Sequence, residues 1–376
     1  MTASVRPKIL LLGVVHFIDK DILKRYESEF ELINYDITTK EDLISKLETE
    51  FNDIVAIATV WFSFVPVGGL HDEKLLNALP KTLKVIATPT VGVDLYNLDA
   101  LTKRGIVLAN SAGITSDDVA DIALHLSLSA YRFTSLFENS LRTHRNTLSA
   151  RYVVEDQFDK AAGRASSEDV SAKRKMVYGH LVGNYKVDSP KGQVAGIVGF
   201  GSIGRAIAKR LAVLGMKIHY LKRSPLTESE IEELGGTGST PPFEITRHET
   251  FDSLAKVSNL LVLVVPLTSD TRHILNERTI ALLPDAARVV NVGRGPLIDQ
   301  KALIKALESG KLSSAGLDVY EQEPLIEPAL AERHDVTLLP HIGSCTDESA
   351  QAALENCFVN IKDVVLGSGK ARNSVN

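Results

Sequence analysis

The chain has 376 residues, 44% apolar and 24% charged, with a formal net charge of −5; that length exceeds one ordinary core, so two domains are expected. The absence of any long acidic or basic block argues against nucleic acid as a partner, and the longest apolar runs, 260–267 and 9–12, are strand length, far short of a membrane span. The first seven residues carry no signal-peptide core, and two cysteines, Cys345 and Cys357, are too few for a disulfide framework or a metal cage; they read as buried or half-buried free thiols in a cytoplasmic protein without metal.

In chain order, Lys8–Gly13 and Phe30–Tyr35 read as strands, separated by helical spacing over Asp19–Glu29. Lys40–Glu50 repeats the helical pattern. Strands follow at Ile54–Ala58, Leu83–Ala87 and Ile106–Ala109, with a short helix at Leu75–Leu79. This alternation predicts a parallel, doubly wound sheet. The loop from Val60 to Val65 holds the only Trp, Trp61, with Phe62 and Phe64. It is either lobe core or subunit packing, or an apolar wall for a bulky substrate side chain. A long helix should begin near Thr115 or Ser116, where Asp117, Asp118 and Asp121 suit its positive end. Residues 141–191 then show weak periodicity over about fifty residues. Such a length reads either as a disordered excursion or, as preferred here, as an arm or helical hairpin packed on a second subunit, which predicts a homodimer.

At Val194–Val198 an apolar run enters Gly199-Phe200-Gly201-Ser202-Ile203-Gly204 and then a helical pattern. Strand, tight turn and helix in that order predict a dinucleotide site. Gly199 makes the turn, Gly201 admits a pyrophosphate, Gly204 packs the helix on the strand, and the anion meets the helix N-terminus. Further strands are expected at Lys217–Leu221, Leu260–Val265, Arg288–Val292, Ser314–Leu317 and Val336–Leu339, helices at Ile280–Leu283 and Ala302–Leu307, a surface loop at Gly235–Pro242, and a closing helix, Asp347–Leu366, that returns to the first lobe.

Cofactor choice is read at the end of the second strand after the glycines. An NAD site places Asp or Glu there for the ribose hydroxyls. Here the strand is followed by Lys222-Arg223-Ser224-Pro225, and no Asp or Glu occurs from Arg205 to Thr227. Lys222 and Arg223 would attract a 2′-phosphate and Ser224 would donate to it, so NADPH is expected; a plain basic surface turn is the alternative.

Three patches lie where strands should end. Asn291-Val292-Gly293-Arg294-Gly295-Pro296 puts an Arg between two glycines, suited to a two-pronged grip on a carboxylate. Asp318, Glu321 and Glu323 fall within six residues, which fits either a site or solvated loop charge. Pro340-His341-Ile342-Gly343 follows a buried strand. If Glu323 meets His341, the carboxylate fixes the ring's tautomer and stabilises imidazolium, giving a proton donor near neutral pH.

These motifs, in this order, resemble the D-isomer-specific 2-hydroxyacid dehydrogenases, and Val91-Gly92-Val93-Asp94 and Asp118-Val119-Ala120-Asp121 match that family's first-lobe motifs. Within it the chain is similar to NADPH-dependent glyoxylate, hydroxypyruvate and hydroxyphenylpyruvate reductases and, in 6–13 and 183–192, to D-mandelate dehydrogenases. The resemblance implies an α/β protein of two Rossmann-like lobes: a substrate domain, 1–116 completed by 344–376, and a dinucleotide-binding domain, 117–343, with the active site in the cleft between them. It implies that Arg294 binds the 2-oxo acid's carboxylate and polarises its carbonyl, that His341 is the acid/base, and that Glu323 orients it. Asp318 would hold the nicotinamide side, and backbone N–H groups at Val91 and Gly92 would take the other carboxylate oxygen. Pro266 and Val292–Arg294 (including Gly293) would line the cofactor, with further contacts from Val119, Ser202, Ile203, Thr271, His341 and Gly343. The implied reaction is NADPH-dependent reduction of a 2-oxo acid to the D-2-hydroxy acid. Two alternatives are a D-mandelate-type enzyme working oxidatively and a nucleotide-sensing, corepressor-like binding protein. A short-chain dehydrogenase is excluded, because none of the nine Tyr has Lys four positions on.

Overall fold

The computed structural model describes residues 6–168 and 177–376. These fall into two compact units, one running to Ser116 and completed by Ser344–Asn376, the other spanning Asp117–Gly343.

The first unit contains β1 (Lys8–Leu12), α1 (Lys20–Glu27), β2 (Glu31–Tyr35), α2 (Lys40–Glu48), β3 (Ala56–Thr59), α3 (Glu73–Ala78), β4 (Val85–Ala87), α4 (Leu98–Lys103) and β5 (Val107–Ala109). Its strands are all parallel, in the order β2-β1-β3-β4-β5. The apolar runs are continuous because both faces of the sheet are covered. Leu10, Leu12, Ile57 and Ile86 face one core with Leu43, Phe51 and Leu75, while Ile9, Leu11 and Ala58 face the other. Asp19, Thr39, Asp72 and Asn97 each accept a backbone N–H that would otherwise be orphaned at a helix start. The sequence pattern did not anticipate α4, whose six residues are too few to show a period.

The long helix α5 (Ser116–Arg132) leads into the stretch expected to be an arm. A helical hairpin of α6 (Thr134–His144), which begins before that stretch, and α7 (Thr147–Asp156) is followed by two small antiparallel hairpins, β6 (Phe158–Asp159) with β7 (Arg164–Ala165) and β8 (Leu181–Val182) with β9 (Tyr185–Lys186). Phe133, Leu136, Val154 and Val182 give these pieces a small core of their own. Buried Arg333 fastens them to the rest of the unit by donating to Ala161 O (2.8 Å) and Lys160 O (3.0 Å). Residues 169–176 of the stretch lie outside the described residues.

The second sheet is built from β10 (Val194–Val198), α8 (Ser202–Val213), β11 (Lys217–Leu221), α9 (Glu228–Leu234), β12 (Ile245–His248), α10 (Phe251–Ala255), β13 (Leu260–Leu263), α11 (Glu277–Leu282), β14 (Ala287–Asn291), α12 (Gln300–Ser309), β15 (Leu312–Leu317), α13 (Pro328–Ala331) and β16 (Val336–Leu338). Its seven strands are parallel, in the order β12-β11-β10-β13-β14-β15-β16. The elements α9, β12, α10 and α13 were not anticipated; each is seven residues or shorter, too short to show a period. The closing helix α14 (Asp347–Val365) does return to the first unit, burying Leu354, Cys357, Phe358 and Ile361 against Ile9 and Leu11.

The thiols divide. Cys357 is buried, and burial pushes it well above the ordinary thiol range. Cys345, expected to be at least half-buried, is exposed, because it precedes α14 in a loop rather than on the helix's apolar face. Among the described residues no helix is long and apolar enough to cross a membrane, and no group of three His, Cys, Asp or Glu side chains is placed to hold a metal ion.

Candidate active site

The glycine turn connects β10 to α8. Gly199 adopts φ +96°, in the left-handed region that favours glycine, and a Cβ there would press on the backbone of Val264 and Val265. Gly201 is the N-cap of α8 and supplies no side-chain cap, and the space where its Cβ would stand is open. The first turn of α8, Ser202 to Arg205, carries no acid. A helix start with uncapped N–H groups, no nearby carboxylate in its first turn and room above the backbone fits a pyrophosphate.

Of the other residues expected at the cofactor, Pro266 is exposed, and its carbonyl accepts the Thr271 hydroxyl (2.7 Å). Thr271 Oγ1 also accepts the Thr268 N–H (2.8 Å), so Thr271 closes its own loop. Val119 is buried in the core below α5, next to Gly343. Ile203 packs on that same core.

The catalytic candidates sit on three loops of the second unit. Arg294 follows β14. Buried Asn291 braces its loop at both ends, donating from Nδ2 to Arg294 O (2.9 Å) and accepting the Gly293 N–H (3.0 Å). The next residue, Gly295, runs so close to the Tyr320 carbonyl that a Cβ would overlap it. That approach packs the Arg294 loop onto the loop that carries Glu323.

Each of the three clustered carboxylates has hydrogen-bond partners, although Glu323 is exposed. Asp318 is 1% exposed, and its oxygens accept the N–H groups of Ile342 and Gly343, both at 2.8 Å. Burial pushes its acidity toward the neutral form, and the two N–H groups offset only part of this. Its carboxylate thus fastens the loop bearing His341, a task the sequence reading had not given it. Glu321 accepts His273 Nε2 at 2.7 Å and the Gln300 N–H at 3.1 Å. Because the His273 N–H also donates to Pro296 O (2.8 Å), this pair ties the Glu323 loop to the Arg294 loop a second time. Glu323 accepts the Tyr320 N–H at 2.9 Å and meets His341 Nδ1 at 2.9 Å.

Burial raises the Glu323 carboxyl, but the His341 hydrogen bond, the Tyr320 N–H and the neighbouring charges of His341 and Arg294 outweigh it. The net shift is downward, so Glu323 is an anion at neutral pH. Glu323 engages the ring through Nδ1, which fixes the ring's orientation. His341 has φ +57°, a left-handed conformation that costs a non-glycine residue energy and recurs at active sites. Arg294 Nη1 donates to Gly293 O at 2.8 Å.

In the first unit, Asn110 Nδ2 donates to Val91 O (2.8 Å) and Thr90 Oγ1 to Gly92 O (2.7 Å), so both carbonyls of this turn are held. The three aromatics near Trp61 do not form one wall. Phe64 is buried in the core on one face of the sheet. Trp61 is half-buried against the core on the other face, edge-on to Phe17 at 5.9 Å, and Phe62 is 66% exposed.

At the turn after β11, Arg223 and Ser224 are exposed, but Lys222 Nζ lies 2.5 Å from Glu230 Oε2. Arg247, on β12, donates to Lys222 O (3.0 Å) and Arg223 O (2.8 Å). Neither Glu230 nor Arg247 was singled out from the sequence. The signal available for Glu230 was Thr227-x-x-Glu230, a capping box that fixes its carboxylate at the helix start.

A family model, the NAD-binding domain of D-isomer-specific 2-hydroxyacid dehydrogenases, matches residues 164–343. The 4-methyl-2-oxopentanoate reductase A of Aspergillus oryzae is 33% identical over 97% of this chain and 96% of its own. The holo form of Rhodotorula graminis D-mandelate dehydrogenase superimposes with a TM-score of 0.80 at 30% identity, covering 99% of this chain and 100% of that one. An NADPH-dependent glyoxylate/hydroxypyruvate reductase from Sinorhizobium meliloti, in complex with NADP and malonate, superimposes with a TM-score of 0.71 at 27% identity, covering 98% of this chain and 97% of that one. The chain belongs to the D-isomer-specific 2-hydroxyacid dehydrogenase family. It is an NAD(P)-dependent oxidoreductase that uses a nicotinamide cofactor.

Proposed function

We propose that this enzyme reduces a 2-oxo acid to the D-2-hydroxy acid with NADPH. The observation that carries the reading is the Glu323–His341 pair, held on two sides by Tyr320 and Asp318 and sharing its field with Arg294. In this proposal the Arg294 guanidinium holds the substrate carboxylate through two parallel hydrogen bonds and draws electron density from the adjacent carbonyl. The N–H groups of Val91 and Gly92 take the second carboxylate oxygen. When bound, the reduced nicotinamide supplies a hydride to the carbonyl carbon. His341 Nε2 gives its proton to the carbonyl oxygen, which leaves as the alcohol. The Glu323 carboxylate stabilises the charged ring beforehand and keeps its orientation afterwards.

The glycine turn and the first turn of α8 hold the pyrophosphate. Arg223 and Ser224 read the 2′-phosphate, at a turn that also carries Lys222. The NADP complex of the S. meliloti relative supports that choice. We further propose a homodimer formed through the arm, whose exposed Leu141, Leu148 and Tyr178 offer apolar surface.

A panel of 2-oxo acids tests the reading, with NADPH or NADH oxidation followed at equal, subsaturating cofactor. Turnover with NADPH and D product supports it. Binding of NADPH without turnover on any 2-oxo acid would point instead to a nucleotide-sensing protein. The same panel on Trp61→Ala reports substrate bulk: a loss confined to aryl 2-oxo acids marks Trp61 as a wall of the substrate pocket, and equal losses mark it as core.

A further inference from the structure

The turn after β11 has an acid that its own sequence lacks. Glu230 reaches back to it from the first turn of α9, three residues beyond the acid-free stretch 205–227. One oxygen, Oε2, accepts Lys222 Nζ at 2.5 Å and the Thr227 N–H at 3.0 Å. The other, Oε1, accepts Arg205 Nη1 at 2.8 Å. Arg205 is itself buried and donates to Phe200 O inside the glycine turn (3.1 Å) and to Glu233. Burial raises the Glu230 carboxyl, but Lys222, the Thr227 N–H and Arg205 outweigh it, and the net shift is downward. An ionised carboxylate therefore sits between the turn and the glycine loop, with the Lys222 ammonium bound to it. Lys222 has a side-chain exposure of 20%, whereas Arg223 is exposed.

We propose that Glu230 sets how strongly this enzyme prefers NADPH, by withholding Lys222 from the 2′-phosphate. The inference rests on the reading of this turn as the 2′-phosphate site. A phosphate monoester carries between one and two negative charges at neutral pH. Reaching it costs Lys222 its present partner, and the Glu230 carboxylate repels the same group. Discrimination thus falls mainly to Arg223 and Ser224. A 2′-hydroxyl, being neutral, meets neither effect.

The conservative variant is Glu230→Gln. Gln at this position preserves the capping box, because its amide oxygen still accepts the Thr227 N–H. Arg205 keeps Glu233. The charge that holds Lys222 is lost, and with it the Oε1 acceptor of Arg205 Nη1, an effect on the glycine turn that the 5′-AMP titration reads separately.

The experiment is calorimetric titration of adenosine 2′,5′-bisphosphate and of 5′-AMP into the full chain: wild type, Glu230→Gln, Lys222→Met and the double variant. Thermal melts confirm that each is folded. Glu230→Gln should bind the bisphosphate on the order of tenfold more tightly and leave 5′-AMP within about twofold. Lys222→Met alone should change bisphosphate binding by less than about threefold, and in the double variant the gain should vanish. The KM for NADPH should fall with the bisphosphate Kd while the KM for NADH holds.

Unchanged or weaker bisphosphate binding in Glu230→Gln overturns the inference. So does a tenfold loss in Lys222→Met alone, which would mean that Glu230 presents Lys222 rather than withholds it. If the wild type binds both probes equally, the reading of the turn as a 2′-phosphate site fails, whatever Glu230 does.

Discussion

Two regions of the second unit hold a basic side chain beside a carboxylate, and they are built differently. At the loops after β14, β15 and β16, the pair is Glu323 with His341, and both partners come from strand ends of the same sheet. At the turn after β11, the pair is Lys222 with Glu230, and the acid comes from the helix that follows. In the proposed function the acid of the first region tunes a group that acts on the substrate. In the second it occupies a group that would otherwise act on the cofactor. A carboxylate beside a basic group therefore has no fixed meaning; what matters is whether the pairing presents that group to the ligand or withholds it.

The largest effect separates the first region from everything around it. His341→Ala should lower kcat for 2-oxo acid reduction by about 10³-fold, within the range for loss of a general acid, while NADPH binding by fluorescence titration stays near wild type. Arg294→Lys should lower kcat/KM by on the order of a hundredfold, because a single ammonium cannot reproduce a planar fork. Near-normal turnover in either variant would remove that residue from the assignment.

The contrast also explains what was legible in the sequence. The parallel α/β units, the glycine turn and the strand-end loops were all readable, because buried parallel strands are continuous apolar runs and ligand loops follow them directly. The meeting of Glu323 and His341 was anticipated for the same reason, since two strands of one sheet end side by side. The roles of Asp318 and Asn291 as braces were not, because a backbone N–H acceptor leaves no trace in residue order. Glu230 escaped notice because α9 has only seven residues and its reach back across the turn depends on the capping box. His273, tied to Glu321, had no signal at all: a lone His with φ +50° in a loop resembles any other. Of the two readings left open for the Trp61 loop, Phe64 takes the core one, because the loop's winding sends it to the opposite face of the sheet from Trp61.

A smaller effect sharpens the second region. Arg223→Ser should raise the KM for NADPH by about tenfold and leave that for NADH within about twofold, because only the phosphate loses a charged partner. Equal rises for both cofactors would show that Arg223 serves the turn's shape rather than the phosphate.

The smallest concerns the strands beneath that turn. His219 on β11 and His248 on β12 meet at 2.9 Å, and His248 meets Ser253 Oγ at 3.0 Å. Burial holds both imidazoles below their ordinary value of 6.5; for His219 the neighbouring His248 adds to it. The unfolded chain therefore takes up protons more readily than the folded one. The stability this pair contributes is present above about pH 6.5 and is lost as pH falls. His248→Gln should reduce the drop in Tm between pH 7.5 and 5.5 by about 2 °C. An unchanged drop would mean that other groups carry the acid sensitivity.

The central claim is that Glu323 works through His341 in the proton transfer, and the pH profile of kcat/KM for 2-oxo acid reduction in Glu323→Gln tests it most directly. Glu323 is held below the ordinary carboxylate value of 4.5, so the stability it contributes is present above that value and lost only as pH falls below it. From pH 5.5 upward, therefore, the Glu323 carboxylate itself adds no loss of stability, and thermal melts at each pH separate the contribution of the His219–His248 pair. Gln keeps the shape of the contact but not the charge that favours a protonated ring. The basic limb of the profile should move to lower pH by about one unit, with the low-pH rate reduced less than the rate at pH 8. A basic limb that stays where the wild type has it, with kcat/KM lowered equally at every pH, would contradict the account.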